Sequence, residues 1–264
     1  MVASFSASQA QALSIFKQPA RIINMKDRNL DMLKKDILLT SPFRLLEQDI
    51  DTKISEGGFG TVLSRAGVGK TAFLVQLALY NMLQGNNVLH ISLSDSVGKV
   101  GLRYKELFQN LTKHYNVQQI NELWETTLPH RFIMTFRVDS FNVPRIEERL
   151  TDITEQGIFH PRMTIIDGLH FDESVRQSLV DLKALAMKHS FHVWFSITTH
   201  RHEDRNPDDM PPSLSHVADL FDVALDLQPE GKEIHIRALK SVSETSEHPP
   251  LFLDPSTMLI QEKK

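Results

Sequence analysis

The sequence predicts an α/β fold: a mostly parallel, twisted β-sheet with helices on both faces and a β-hairpin near the C-terminal end. Three observations carry this. Apolar strand-like runs alternate with helical patterns along most of the chain, as βαβ units and a parallel sheet require. One such run, Gly60-Thr61-Val62-Leu63, passes through a glycine-rich turn into an apolar helix beginning at Lys70. Another, Met163-Thr164-Ile165-Ile166, is wholly apolar and ends in Asp167.

Residues 1–42 read as an N-terminal appendage to a core domain over 43–264. Asp27 to Ile37 places Leu30, Leu33 and Ile37 on one helical face. Up to Ile37, six Lys/Arg stand against three Asp, a mild excess that suits a solvated edge docked on the core. After the first strand, a helix from Lys70 to about Gln84 is closed by Gly85, a natural left-handed C′ residue. Val88–Leu93 is the next strand. The helix that follows, about Gly98 to Tyr115, spaces Val100, Tyr104, Leu107, Phe108 and Leu111 along one face.

Phe132–Val138 reads as a strand, and Asn142-Val143-Pro144 starts a helix, because proline suits a first turn. Beyond Asp167, a helix over about Glu173 to His189 carries Val175, Leu179, Leu182 and Ala186 on one side. His192–Ile197 is a further strand. Val223–Leu227 and Glu233–Leu239 flank Pro229-Glu230-Gly231 and form the expected hairpin.

Composition narrows the function. The chain has 264 residues, 41% of them apolar, enough for one large core. A net charge of −4 gives no global electrostatic case for nucleic acid or an acidic membrane. Cysteine is absent, so disulfides, thiolate metal sites and cysteine nucleophiles are excluded. No apolar run is long enough to cross a bilayer, and Met1 to Ala12 lacks the basic start and apolar core of a signal peptide. These features read as a soluble, cytoplasmic protein.

The chemistry concentrates in Ser64-Arg65-Ala66-Gly67-Val68-Gly69-Lys70-Thr71. In a strand–loop–helix setting this is a phosphate-binding loop. Backbone N–H groups turned inward by the glycines, backed by a helix N-terminus, make a concave anion site. Lys70 is placed to reach the β- and γ-phosphates and Thr71 to offer its hydroxyl to Mg²⁺. Ser64 stands where the usual first glycine would be, at the strand end and away from the phosphates. Asp167 followed by Gly168 supplies a carboxylate suited to hold Mg²⁺ through water. The expected ligands are therefore a nucleoside triphosphate and Mg²⁺; ATP in particular is what the resemblance described next implies.

These elements resemble the RecA-type ATPase core, closest to its KaiC-like and DnaB-helicase-like branches. The glycine run Gly57-Gly58-Phe59-Gly60 and the strand Val88-Leu89-His90-Ile91-Ser92-Leu93 with its short acidic sequel are similar to KaiC-like domains. Leu182-Lys183-Ala184-Leu185-Ala186 and then His192-Val193-Trp194-Phe195-Ser196 resemble the helix and strand that lead to a sensor position. Ile234-His235-Ile236-Arg237-Ala238-Leu239-Lys240 resembles a C-terminal strand that carries basic residues acting on a neighbouring subunit. The resemblance covers about Phe43 to Ile260 and implies a homo-oligomer of ring or filament type, or a partner protein.

The departures from that family decide what it implies. The glutamate that polarises the attacking water is matched by Ser94, which is no base near neutral pH. Asp95 follows it and is the candidate acid, or else a helix-capping residue. Thr198 or Thr199 matches the sensor, and Lys240 matches the first residue of a Lys-x-Arg pair whose third position is Val242. The missing arginine removes a group worth orders of magnitude in rate. The resemblance thus implies a slow or impaired ATPase acting as a nucleotide-controlled assembly or regulatory module. Two other readings stand beside it: a nucleic-acid-dependent ATPase, and an ATP-bound switch without turnover. Against the first, Arg201 to Ser213 holds two Arg and four Asp/Glu, whereas a loop that tracks phosphates should be basic. His200-Arg201-His202-Glu203-Asp204 contains a His-x-His, but the loop composition that follows favours a solvated loop over a metal site.

Overall fold

A computed structural model gives the architecture for residues 25–51, 53–137, 141–200, 205–206, 209–240 and 250–263. In chain order the elements are α1 (Met25–Thr40), α2 (Phe43–Asp51), β1 (Phe59–Ser64), α3 (Lys70–Leu83), β2 (Val88–Ser92), α4 (Val97–Thr112), α5 (Val117–Thr127), β3 (Arg131–Thr135), α6 (Val143–Glu155), β4 (Met163–Asp167), α7 (Val175–Lys188), β5 (His192–Thr198), the short α8 (Pro212–Ser215), β6 (Val223–Glu230), β7 (Glu233–Lys240), β8 (Leu251–Leu253) and β9 (Ile260–Glu262). The strands form one sheet in the order β3-β2-β4-β5-β1-β6-β7-β8-β9. Pairings from β3 to β6 are parallel, and those from β6 to β9 antiparallel.

The parallel strands β1, β2, β4 and β5 are almost wholly buried because both faces are covered, which is why they read as apolar runs rather than alternating ones, whereas the edge strand β3 is only half-buried. One core joins α1 to α5 to the sheet face bearing Val62, Val88, Ile165 and Trp194. The other joins α6, α7 and α8 to the face bearing Phe59, Leu89, Ile166 and Phe195. Side-chain alternation along a strand puts His90, Ser92, Asp167, Ser196 and Thr198 on the first face, under α3. That helix is buried on every side from Phe73 to Leu83, as an all-round apolar helix must be. Of its two buried carboxamides, Asn81 donates to Leu77 O at 3.1 Å, and Gln76 is satisfied by β9 and the turn before it. Gln76 Nε2 donates to Met258 O at 2.7 Å, and Oε1 accepts from Ile260 N at 2.8 Å.

Several boundaries differ from expectation. The helix expected to end at Tyr115 stops at Thr112. Asn116 then caps a separate helix, α5, by accepting from the N–H groups of Gln118 and Gln119. The strand expected over Phe132–Val138 is the shorter β3. In the hairpin, Pro229 and Glu230 belong to β6. The turn is the two-residue Gly231-Lys232, with Gly231 at φ 61°, the left-handed conformation that a glycine-first two-residue turn uses. Two short strands, β8 and β9, and helix α2 were not anticipated. Helix α1 packs on α3 and α5, with Ile37 buried in the first core and Asp36 accepting from Tyr115 OH at 2.9 Å. Helix α6 starts at Val143-Pro144 as expected, and Asn142 caps it by accepting from Arg145 N at 3.0 Å.

Gly60 marks the tightest approach in the sheet, because a Cβ there would lie 2.6 Å from the Trp194 ring. Trp194 is fully buried and paired in register with it. The Gly60→Ala variant is therefore expected to lose about 1–3 kcal/mol of stability through overpacking. Urea unfolding followed by tryptophan fluorescence should show a lower midpoint, and an unchanged midpoint would contradict the packing described.

Candidate functional site

The crest of the sheet divides where β1 meets β5. The chain leaving β1 enters α3 on the first face, whereas the chain leaving β4 and β5 reaches α7 and α8 on the second. Connections that diverge in this way open a crevice at the strands' carboxyl ends. Here it is a cavity of about 450 Å³ between Arg65–Val68 and Thr198–His200. A second cleft of about 440 Å³ lies on the other flank of the same loop. Lys70, Thr71, Arg103, Glu106, Asn110 and Thr257 are among its lining residues.

The loop between β1 and α3 has the backbone its glycines foretold. Gly67 and Gly69 have φ of 80° and 126°, and β8 backs the loop so closely that a Cβ on Gly69 would meet Leu253 at 2.6 Å. The first turn of a helix leaves amide N–H groups without helical acceptors. In α3 the N–H of Phe73 is taken by Gly69 O at 2.9 Å, and those of Lys70, Thr71 and Ala72 precede it. Lys70 Nζ donates to Ser64 O at 2.9 Å and to Arg65 O at 3.1 Å. Burial lowers its pKa below the ordinary lysine value, and the negative charge of Asp167 acts the other way.

Asp167 gathers the polar groups of the first face. Thr71 Oγ1 donates to its Oδ2 at 2.8 Å and Ser196 Oγ to its Oδ1 at 2.6 Å. Ser196 in turn accepts from Gly168 N at 3.0 Å. Only 6% of its surface is exposed, and the two hydroxyl donors and the nearby ammonium of Lys70 offset the cost of burying it. Ser196 was missed in the sequence. Its signal is strand parity, two residues before Thr198 on a strand that neighbours β4.

The remaining candidates are distributed differently. Thr198 ends β5 opposite Ser64 in register and lines the crevice. Thr199 is buried, its N–H bonded to Ser64 O at 3.0 Å. Ser94 lies beside Gly168, where an added Cβ would sit 3.4 Å from its hydroxyl. Asp95 pairs with Lys99 and Arg103, each at 2.6 Å. The Lys99 hydrogen bond is the largest influence holding its pKa below the usual carboxylate range. Both oxygens are thus committed to cations. The helix cap expected of Asp95 is supplied by Ser96, which accepts from Lys99 N.

Lys240 joins neither flank of the loop. Its ammonium donates to Ala218 O at 2.7 Å, and it pairs with Ala224 at the start of β6, toward the opposite end of the sheet. Val242 and the Arg201–Asp204 part of the His-x-His segment lie outside the described residues. Among those described, no group of three or more His, Asp or Glu side chains could hold a metal, and no helix is long and apolar enough to cross a membrane.

Beneath Asp167 on the same face lies His90, fully buried, with Nδ1 3.0 Å from Tyr104 OH. Burial, opposed by the charge of Asp167 and reinforced by Arg131, pushes its pKa down to about 4. No protein-family model matches this chain, and no curated protein is significantly similar to it.

The state of His90 sets a pH dependence. Its folded pKa lies below the unfolded value of about 6.5, so the unfolded chain takes up the proton first. Stability from this source is complete above about pH 6.5 and falls as the pH drops toward 4, by at most about 1.4 kcal/mol per unit. His192, brought to about 4 chiefly by burial, adds to the same trend. Urea midpoints should fall between pH 7 and 5.5, and His90→Gln should flatten that fall. A wild-type midpoint constant over this range would contradict a buried neutral His90.

Proposed function

We propose that this chain is an ATP-binding protein of RecA-like, KaiC-like type, a slow or impaired Mg²⁺-dependent ATPase whose nucleotide state governs assembly or a partner. The observation that carries the reading is the convergence of Lys70, Thr71, Asp167 and Ser196 at the carboxyl ends of neighbouring strands. These residues fit the group they would hold. The glycine backbone of Gly67 to Gly69 and the first-turn N–H groups of α3 form an anion cradle. Lys70 supplies the cation beside it, and Thr71 with Asp167 pairs a hydroxyl and a carboxylate as a magnesium site needs. Bound Mg²⁺ would neutralise phosphate charge. The chain's own part is to orient the phosphates, with Ser196 fixing the Asp167 carboxylate and Thr198 facing them across the crevice.

Slow turnover follows from what stands at the end of β2. Ser94 accepts no proton, and Asp95 is already bound to Lys99 and Arg103, which makes it a poor base. Assembly through the site between subunits would use Lys240, which lies far from its own chain's loop and would have to give up Ala218 O. The nucleic-acid reading gains nothing from the second face. Arg205 is held by buried Asp226 at 2.7 Å and Arg237 by Asp209 at 2.6 Å, so these cations are already neutralised.

Calorimetry with Mg²⁺ and ATP is expected to show binding that Lys70→Ala abolishes. Asp167→Ala should keep much of the affinity for ATP while losing its dependence on Mg²⁺. Unchanged affinity in Lys70→Ala would refute the assigned site. In single-turnover hydrolysis, Ser94→Glu should raise a low wild-type rate. A wild type that already turns over rapidly, with Asp95→Asn leaving that rate intact, would refute the impaired-ATPase reading.

A further inference from the structure

We propose that Arg65 is the residue by which this site distinguishes a nucleoside triphosphate from a diphosphate, its guanidinium taking the terminal phosphate within the same chain. This rests on the nucleotide-binding reading above and adds the residue that confers the distinction.

The backbone of Arg65 is fixed. Its carbonyl accepts from Ser64 Oγ at 3.0 Å, from Lys70 Nζ at 3.1 Å and from Val68 N at 3.4 Å. The side chain is left as the movable part, and it is exposed. It borders the crevice shared with Thr198, Thr199 and His200, and also the adjoining cleft of about 650 Å³ that runs toward β6 and β7.

Its charge is also available. Arg103 is engaged by Asp95, Arg205 by Asp226 and Asp209, and Arg237 by Asp209. Arg65 forms no ion pair among the described residues, although it stands at the rim of a site built for anions. A guanidinium offers two parallel N–H donors that match two phosphate oxygens.

The two flanks of the loop differ in chemistry, and this orients the ligand. The flank toward α4 and the β8–β9 turn mixes Leu107 and Met258 with Glu106, Asn110 and Thr257, the combination of apolar wall and few polar groups that suits a nucleoside. The flank toward β5 presents Arg65, Thr198, Thr199 and His200, which suits phosphate oxygens. A phosphate chain laid across the cradle has its inner phosphates on the loop N–H groups, where triphosphate and diphosphate gain alike, with Lys70 between the β- and γ-phosphates. Beyond the loop on the β5 side, Arg65 is the arginine that lines the crevice among the described residues, and its charge is offered to the terminal phosphate alone.

The test is equilibrium binding of the full chain, with Mg²⁺, to ADP and to a non-hydrolysable ATP analogue, in wild type, Arg65→Ala and Arg65→Lys. Wild type should prefer the triphosphate about tenfold, one pair of charge-assisted hydrogen bonds being enough for that. Arg65→Ala should lower that preference severalfold by weakening the analogue alone, and Arg65→Lys should keep part of it. An unchanged thermal midpoint for Arg65→Ala confirms that an exposed side chain has been removed from an intact fold. The proposal is overturned if Arg65→Ala leaves the preference as it was, or weakens both ligands equally while Lys70→Ala still abolishes binding. Failure of wild type to bind either ligand would overturn the nucleotide reading itself, and this proposal with it.

Discussion

A carboxylate buried at the end of a parallel strand is costly unless its charge is answered, and the first face of this sheet is arranged around one. Asp167 is answered by Thr71 at the start of α3, by Ser196 on the neighbouring strand and by the charge of Lys70. Those bonds tie three segments that are far apart in sequence. They set how far α3 lies from the strand ends, and hence the opening between the loop and β5. The closeness of Thr71 to Asp167, 2.8 Å, is also what the proposed Mg²⁺ site rests on.

The second constraint is the divergence of helices at the β1–β5 boundary. Gly60 permits Trp194 to fill the space beneath α3, and the buried α3 then projects its N-terminus at the crevice. On the opposite face, the chain beyond β5 returns to the sheet through Arg205, whose partner Asp226 is 2% exposed. Breaking one partner of such a buried pair is far more damaging than the pair is stabilising. Arg205 is therefore anchored to β6 in the cleft that Arg65 also lines.

Much of this was legible in the chain. The loop from Ser64 to Thr71 announces itself by its glycines and Lys-Thr pair, and the strands ending at Asp167 and expected over His192–Ile197 do so because burial on both faces leaves an unbroken apolar run. What was not legible depends on contacts between distant residues. Helix α5 is separated from α4 by a capping asparagine that local spacing reads through. The strands β8 and β9 have three residues each, too few for a period, and are held by pairing alone. The role of Ser196 follows from the neighbouring placement of β4 and β5 and is invisible until the sheet is assembled, while the engagement of Asp95 by Arg103 spans two turns at the start of α4.

The central claim is that Lys70 and Thr71 hold partners within the chain that phosphate and metal would replace. A crystal structure with Mg²⁺ and a non-hydrolysable ATP analogue tests it most directly. The expected result has Lys70 Nζ released from Ser64 O and Arg65 O onto the phosphates, and Thr71 Oγ1 turned from Asp167 to the metal, with Ser196 still bonded to Asp167. Analogue bound away from the loop, or a loop with Lys70 and Thr71 unmoved at saturating ligand, would contradict it.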